Sequence, residues 1–378
     1  MRPSYHSAFH LTCLLLLIVS TAEAQTSPAS PTSREDVIVF GASVGKQMTT
    51  VARYASSGKD HQLQVLDSQS LGFPGRAAAY HPQHRLLYVV PNGKTTPAGH
   101  RGSVFAVDAK GKLTKRATVP LAHGYDYLSL DPTGRYLLGA SYFEGHVDVY
   151  QLNPQGLPGK VVATRFEGRD KAHSVRVSPN QRFAYVPYVK DQNALYQYAF
   201  DAKTGALTPL DPPQAPVADD VGPRHLAYHP RKPLVLFSNE QQLGVSSYRI
   251  LPDGRLELVH LCPAPGADPQ PGLAASDIVI TPDGRFAYAS VRGFGKELNA
   301  VYGYAIQTDG KLQPLGKTDT DTIPWALALS PSGRTLFVSA TQGGTLTAYQ
   351  VQTDGGLQET AKIPWGKDFR DLVVTPAR

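Results

Sequence analysis

A short apolar run ending in proline recurs along this chain about every 50 residues, and that period limits the possible folds more than any other feature. The run reads AAAYHPQHR, LSLDPTGR, VRVSPNQR, LAYHPRK, IVITPDGR, LALSPSGR and LVVTPAR, anchored on Pro82, Pro132, Pro179, Pro230, Pro282, Pro331 and Pro376. The intervals are 50, 47, 51, 52, 49 and 45 residues. Behind each of the first six anchors come a second apolar run, a third run of alternating polarity, and a turn such as AKGKL, PDGRL or TDGKL that opens a fourth. Alternation bounded by such turns specifies strands. Four strands per unit of this length is the arithmetic of a β-propeller blade.

The two chain ends complete the count. Only one strand follows the sixth unit, at LVVTPAR, whereas Val37 to Leu66 supplies three strands that lack a first one. Joining them makes a seventh blade and removes the strand edges of an open sheet. The expected fold is therefore all-β, a seven-bladed propeller of four-stranded antiparallel blades, with six or eight blades as the alternatives. Composition agrees: 34 Gly, 31 Pro and 19 Tyr against 2 Met in 378 residues suit short strands and tight turns.

The first residues read differently. Arg2, the apolar run Leu11 to Val19 and the small-x-small site Ala22-Glu23-Ala24 make residues 1–24 a signal peptide, cleaved before Gln25. Residues 25–36 are a Ser/Thr/Pro-rich leader expected to be disordered, and residues 37–378 are the propeller. The apolar run is too short to span a bilayer, and Cys13 has no lipobox before it, so an exported, unanchored protein is expected, periplasmic or secreted. Export leaves Cys262 alone, a small buried hydrophobe with no disulfide partner. The net charge of +6 is scattered among acidic residues, which excludes a nucleic-acid footprint and favours small anionic ligands. A monomer is expected.

The register of the repeat places the candidate site. First strands line a propeller's channel, so the residue six before each anchor should approach one mouth: Arg76, Asp126, His173, Arg224, Ser276, Trp325 and Arg370. Within VGPRHLAYHPRKPLVLFSNE, Arg224 and Glu240 stand eight residues either side of Lys232, so a hairpin turning there returns both to the same end. The same reasoning adds Glu144, Tyr188 and Arg292. His173, Arg224, Glu240 and Arg292, from consecutive blades, form the candidate catalytic set. Arg76, Asp126, Tyr188, Trp325 and Arg370 are the candidate substrate-binding residues. A His and a Glu supply a general base and its partner, in either order, and two guanidiniums hold an anion and a developing oxyanion, which suits an ester or lactone carbonyl. Arg and Glu at blade rims also pair with each other for purely structural reasons. His225, by strand alternation, is expected between blades. Trp325 and Trp365 either wall the mouth or pack between blades. The histidines lack metal-ligand spacing, so no metal or other cofactor is expected.

These motifs also carry a resemblance. GPRH at Gly222 to His225, SNE at Ser238 to Glu240, AHSVRVSP around His173 and TPDGRFAYASVRG ending on Arg292 and Gly293 resemble the propeller-type lactonases, which include a bacterial 6-phosphogluconolactonase and a fungal carboxymuconate cyclase. The resemblance spans essentially the whole mature chain. It implies seven blades, no metal, and a site whose His, Arg, Glu and Arg match His173, Arg224, Glu240 and Arg292. Two positions depart from the pattern: Val291 stands where the family often has Asn, and YHPRKPLVLFSNE lacks the usual Gly turn. Phosphorylated gluconolactone is a cytoplasmic metabolite, so for an exported chain the resemblance carries the fold and the site more than the substrate. The expected activity is an exported lactone hydrolase acting on a sugar-acid or related lactone. The alternative is a non-catalytic propeller that binds a small anion or a protein at the same mouth.

Overall fold

Each apolar run that precedes an anchoring proline forms the innermost strand of a four-stranded antiparallel sheet, and each run that follows forms the second strand, buried on both faces because blades stack against it. A computed structural model describes Met1 and residues 34–93 and 99–377. The chain divides into Met1–Pro31 and Thr32–Arg378, and the second unit holds every described strand. The signal-peptide cleavage site and most of the leader lie outside the described residues.

Numbered from the first anchor, blade 1 covers Gly75–Leu121, blade 2 Tyr127–Phe166, blade 3 Arg176–Gln214, blade 4 Pro223–Pro263, blade 5 Leu273–Asp319 and blade 6 Pro324–Pro364. Blade 7 joins Phe369–Pro376 to three strands within Glu35–Ser70, with Val37 opposite Pro376 and Val39 opposite Val374. The ring is closed by the chain ends, as the repeat count requires. One boundary moves: the first strand starts at Glu35, so Glu35 and Asp36 belong to blade 7 and not to the leader. Glu35 is buried, and its carboxylate accepts hydrogen bonds from Ser332 and Thr335 of blade 6, which is why the strand extends to it.

The consensus of the repeat has a packing reason. The tyrosine of a second strand donates to the carbonyl of a glycine turn in the next blade: Tyr88 to Gly156 (2.6 Å), Tyr185 to Gly254 (2.7 Å) and Tyr288 to Gly355 (2.9 Å). Arg182 and Arg285, which follow their anchors, reach carbonyls of those same turns, at Pro252 and Thr353. Gly254 adopts φ of 91°, the left-handed region that glycine enters without strain. A tyrosine thus fastens blades 1, 3 and 5 to the blades that follow them, joined in blades 3 and 5 by the arginine after the anchor.

Candidate functional site

Five of the seven residues six before an anchor, Arg76, Asp126, His173, Trp325 and Arg370, converge on one cavity, and a repeated irregularity helps to place them. In blade 1, Gly75 pairs with Pro91 but Ala77 with Val90, so Arg76 is one residue in excess of the ladder. The same surplus occurs in blade 4 between Pro223 and Leu226, in blade 5 between Ala275 and Ile278, in blade 6 between Pro324 and Ala326, and in blade 7 between Phe369 and Leu372. A β-bulge breaks alternation and re-aims side chains. In blades 4, 5 and 7 it turns the following residue, His225, Asp277 or Asp371, toward the channel.

The mouth holds a cavity of about 180 Å³ whose wall includes Arg76, Asp126, His173, Glu240, Arg292, Trp325 and Arg370. Arg76 Nε donates to Asp126 Oδ1 at 2.8 Å in a buried hydrogen bond, and the Tyr142 backbone N–H donates to Asp126 Oδ2 at 3.1 Å. Glu240 Oε2 lies 2.9 Å from Arg224 Nε and 3.4 Å from Arg292 Nη2. Arg292 also donates to the Ala275 carbonyl at 2.8 Å. The indole of Trp325 lies among four guanidiniums, at 4.2 Å from Arg292, 4.5 Å from Arg370, 5.5 Å from Arg76 and 5.8 Å from Arg224. Among the described residues, no group of three or more His, Cys, Asp or Glu is placed to hold a metal.

Electrostatics follow from burial. His173 is 4% exposed; desolvation, then the charges of Arg224, His225 and Arg76, hold its pKa well below the usual histidine value, so it is neutral at pH 7. Burial and the charge of Arg224 push Arg292 down to about 9, still protonated, with Glu240 opposing the shift. Arg370 is lowered by burial and then by Arg76.

Arg224 differs from its expected place. It is fully buried and stands behind Glu240 and Trp325 instead of on the wall, and its guanidinium makes no directed hydrogen bond among the described residues; its contact with Glu240 is an ion pair whose N–H does not point at the oxygen. Tyr188 is a correction. It is the last residue of its strand, packed in the core between blades 2 and 3 with its hydroxyl 3.4 Å from the Gly145 carbonyl, and does not reach the cavity. Glu144 instead meets His100 at 3.3 Å. His225 is a second correction: the bulge of blade 4 breaks the assumed alternation, so His225 faces the central channel with Asp277, Asp371 and Arg176. Trp325 walls the cavity, whereas Trp365 packs on Phe369 in the core.

The expected set omitted Asn92, Tyr142, Phe143, Lys190 and Phe294, which line the same cavity from the loops after the second strands. A signal for two of them was present. The tenth residue past the anchor is Asn92, Tyr142, Glu240 and Arg292 in blades 1, 2, 4 and 5, and all four line the cavity. Glu144 and Tyr188 sit two positions after and one before that register.

The sequence model of a family described as "Lactonase, 7-bladed beta-propeller" matches residues 37–368. The 6-phosphogluconolactonase of Cronobacter sakazakii is 32% identical over 324 residues, covering 84% of this chain and 92% of that protein. That of Klebsiella pneumoniae is 29% identical over the same extent. Among solved structures, the periplasmic gluconolactonase of Pseudomonas aeruginosa superposes with a TM-score of 0.78 at 22% identity, covering 92% of this chain and all of that one. A putative 6-phosphogluconolactonase from Bacteroides fragilis gives 0.77 at 19% identity, covering 92% and 99%. At those identities the structural likeness concerns the fold.

Proposed function

The chain belongs to the family of seven-bladed β-propeller lactonases, and we propose that it hydrolyses a sugar-acid or related lactone at the cavity of Arg76, Asp126, His173, Glu240, Arg292, Trp325 and Arg370. The observation that carries this reading is a buried neutral imidazole beside a cluster of guanidiniums whose positive charge exceeds the negative charge of Asp126 and Glu240. Glu240 Oε2 is shared by two arginines, so His173 is the base and Glu240 fixes Arg292 and Arg224. His173 takes a proton from water as the oxygen bonds to the ring carbonyl carbon, and the carbonyl electron pair moves onto oxygen. Arg292 faces that oxyanion, where donors already in place and shielded from water are most effective. The tetrahedral species collapses by breaking the ring C–O bond, and His173 returns its proton to the departing alkoxide, leaving a hydroxy acid. Arg76, Arg370 and Lys190 are assigned to the substrate's anionic group.

The test is turnover of a panel of phosphorylated and unphosphorylated aldonolactones by the purified mature protein. His173→Ala and Glu240→Gln should each lower kcat at least about 100-fold. Turnover unchanged in both variants removes the site assignment, and ligand binding without turnover favours the binding-protein reading.

Export belongs to the same proposal, supported by the charged start, apolar run and Ala22-Glu23-Ala24 of residues 1–24. Among the described residues no helix is long and apolar enough to cross a membrane. The mass of protein recovered from the periplasm or medium should correspond to a chain starting at Gln25. Uncleaved protein confined to the cytoplasm overturns this part.

A further inference from the structure

Directly against His173, on the channel side, stands a second imidazole that has no part in the steps assigned so far. His225 Nδ1 lies 2.8 Å from Asp277 Oδ1. Asp277 is itself fixed, its Oδ2 accepting the Leu327 N–H and its Oδ1 the Ile278 N–H, each at 2.9 Å. Burial works to raise this carboxyl, but His225, the Leu327 N–H and Arg224 more than offset it and hold it below the usual aspartate range. An ionised carboxylate only accepts, so the His225 proton sits on Nδ1 and its Nε2 keeps a lone pair. That Nε2 is buried without a partner among the described residues, and so is Nδ1 of His173. The two rings meet edge to face, centroids 5.1 Å apart and planes at 67°. Buried polar atoms without partners are rare, and two in adjacent rings are an acceptor and a prospective donor one link apart.

We propose that Asp277 and His225 form a positioning pair for His173. His225 Nε2 accepts the Nδ1–H of His173, through a small ring rotation or one bridging water. This selects the tautomer in which His173 Nε2 holds the lone pair that deprotonates the attacking water. The inference rests on His173 being the base. In the step, the proton from water resides on His173 Nε2, the Nδ1 proton stays in its hydrogen bond, and His225 and Asp277 neither gain nor lose one. The other groups facing His225 are Arg224 and Arg76, whose charges oppose protonation, Arg176 and Asp371 across the channel, and the ring of Tyr127 at 4.9 Å. Asp277 is thus the group that stabilises the transient imidazolium.

The experiment measures kcat and KM across pH, with melting temperatures, for wild type, Asp277→Asn, His225→Gln, His173→Ala and the Asp277→Asn/His173→Ala double variant on one aldonolactone that the wild type turns over. Asp277→Asn should lower kcat about 10- to 100-fold with KM within about twofold, and move the acid limb of the kcat profile to lower pH. In the His173→Ala background it should cost nothing further. An unchanged kcat and acid limb in Asp277→Asn, or an equal loss with and without His173, overturns the pair while leaving the lactonase reading intact. Full turnover by His173→Ala overturns the base assignment and the pair with it. If Asp277→Asn does not fold, His225→Gln is read by the same criteria.

Discussion

Two carboxyl groups near the axis, Asp126 buried and Asp371 half-buried, show how position sets what a residue does. Asp126 pairs with Arg76 at 2.8 Å, with both side chains almost sealed from solvent. Asp126→Asn leaves a buried guanidinium without its counter-charge and should cost about 3 kcal/mol or more in chemical denaturation, whereas an exposed pair such as Arg249 with Glu257 should be almost silent on the same substitution. Asp371 lies in the channel, where burial, opposed by the Ala78 N–H at 2.7 Å, raises its pKa to about 7. A carboxyl whose folded pKa lies above its unfolded value of 3.8 adds stability that is complete below pH 3.8 and is lost as pH rises through about 7. His225 works in the opposite direction, since burial and then Arg224 lower it from 6.5 to about 4, so its contribution is lost as pH falls from 6.5 toward 4. Asp371→Asn should therefore gain on the order of a few kcal/mol at pH 8 and expose the acid sensitivity that the wild type offsets. Parallel stability profiles for the two proteins between pH 4 and 8 would contradict this.

At the level of the strand, the bulges in the first strands of blades 1, 4, 5, 6 and 7 decide the site. They let adjacent residues serve different compartments, Arg224 and His225 in blade 4, Ser276 and Asp277 in blade 5, Arg370 and Asp371 in blade 7. The approach to Asp126 is equally constrained, because a methyl group at Gly124 would collide with the backbone of Asn92 and Gly93. Backbone cannot yield as a flexible side chain does. Gly124→Ala should thus lower the melting temperature and raise KM, by displacing Asp126 and with it Arg76; a variant with wild-type stability and KM would show that the loop moves freely. Serines at the ends of second strands are structural: Ser238 donates to the Ser276 carbonyl at 2.7 Å and Ser339 to that of Phe369 at 3.1 Å, each crossing to the next blade.

For the molecule as a whole, closure depends on one strand. Phe369–Pro376 pairs with Glu35–Ser43 and places Arg370 in the cavity and Asp371 in the channel. Ending the chain at Pro364 would remove that strand, expose the edge of Glu35–Ser43 and take one guanidinium from beside Trp325. Such a truncation should lose cooperative unfolding and elute as aggregate in size-exclusion chromatography. A monomer with a sharp wild-type transition would mean that the ring does not need its clasp.

Strand number, blade count, ring closure and the convergence of Arg76, Asp126, His173, Trp325 and Arg370 were legible in the amino-acid order, because local alternation, turn chemistry and a fixed period are all properties of neighbours in sequence. The loop residues at the tenth position past each anchor were legible in part, by the same periodicity. Burial of Arg224, withdrawal of Tyr188 and the inward turn of His225 were not. Each depends on a single surplus residue in a ladder or on where a strand stops, and those are settled by how one blade packs on the next. The spacing of 52 and 52 residues already put His173, His225 and Asp277 in successive blades, but only the tertiary structure, through the surplus residues of blades 4 and 5, turned His225 and Asp277 inward and set His225 between Asp277 and His173.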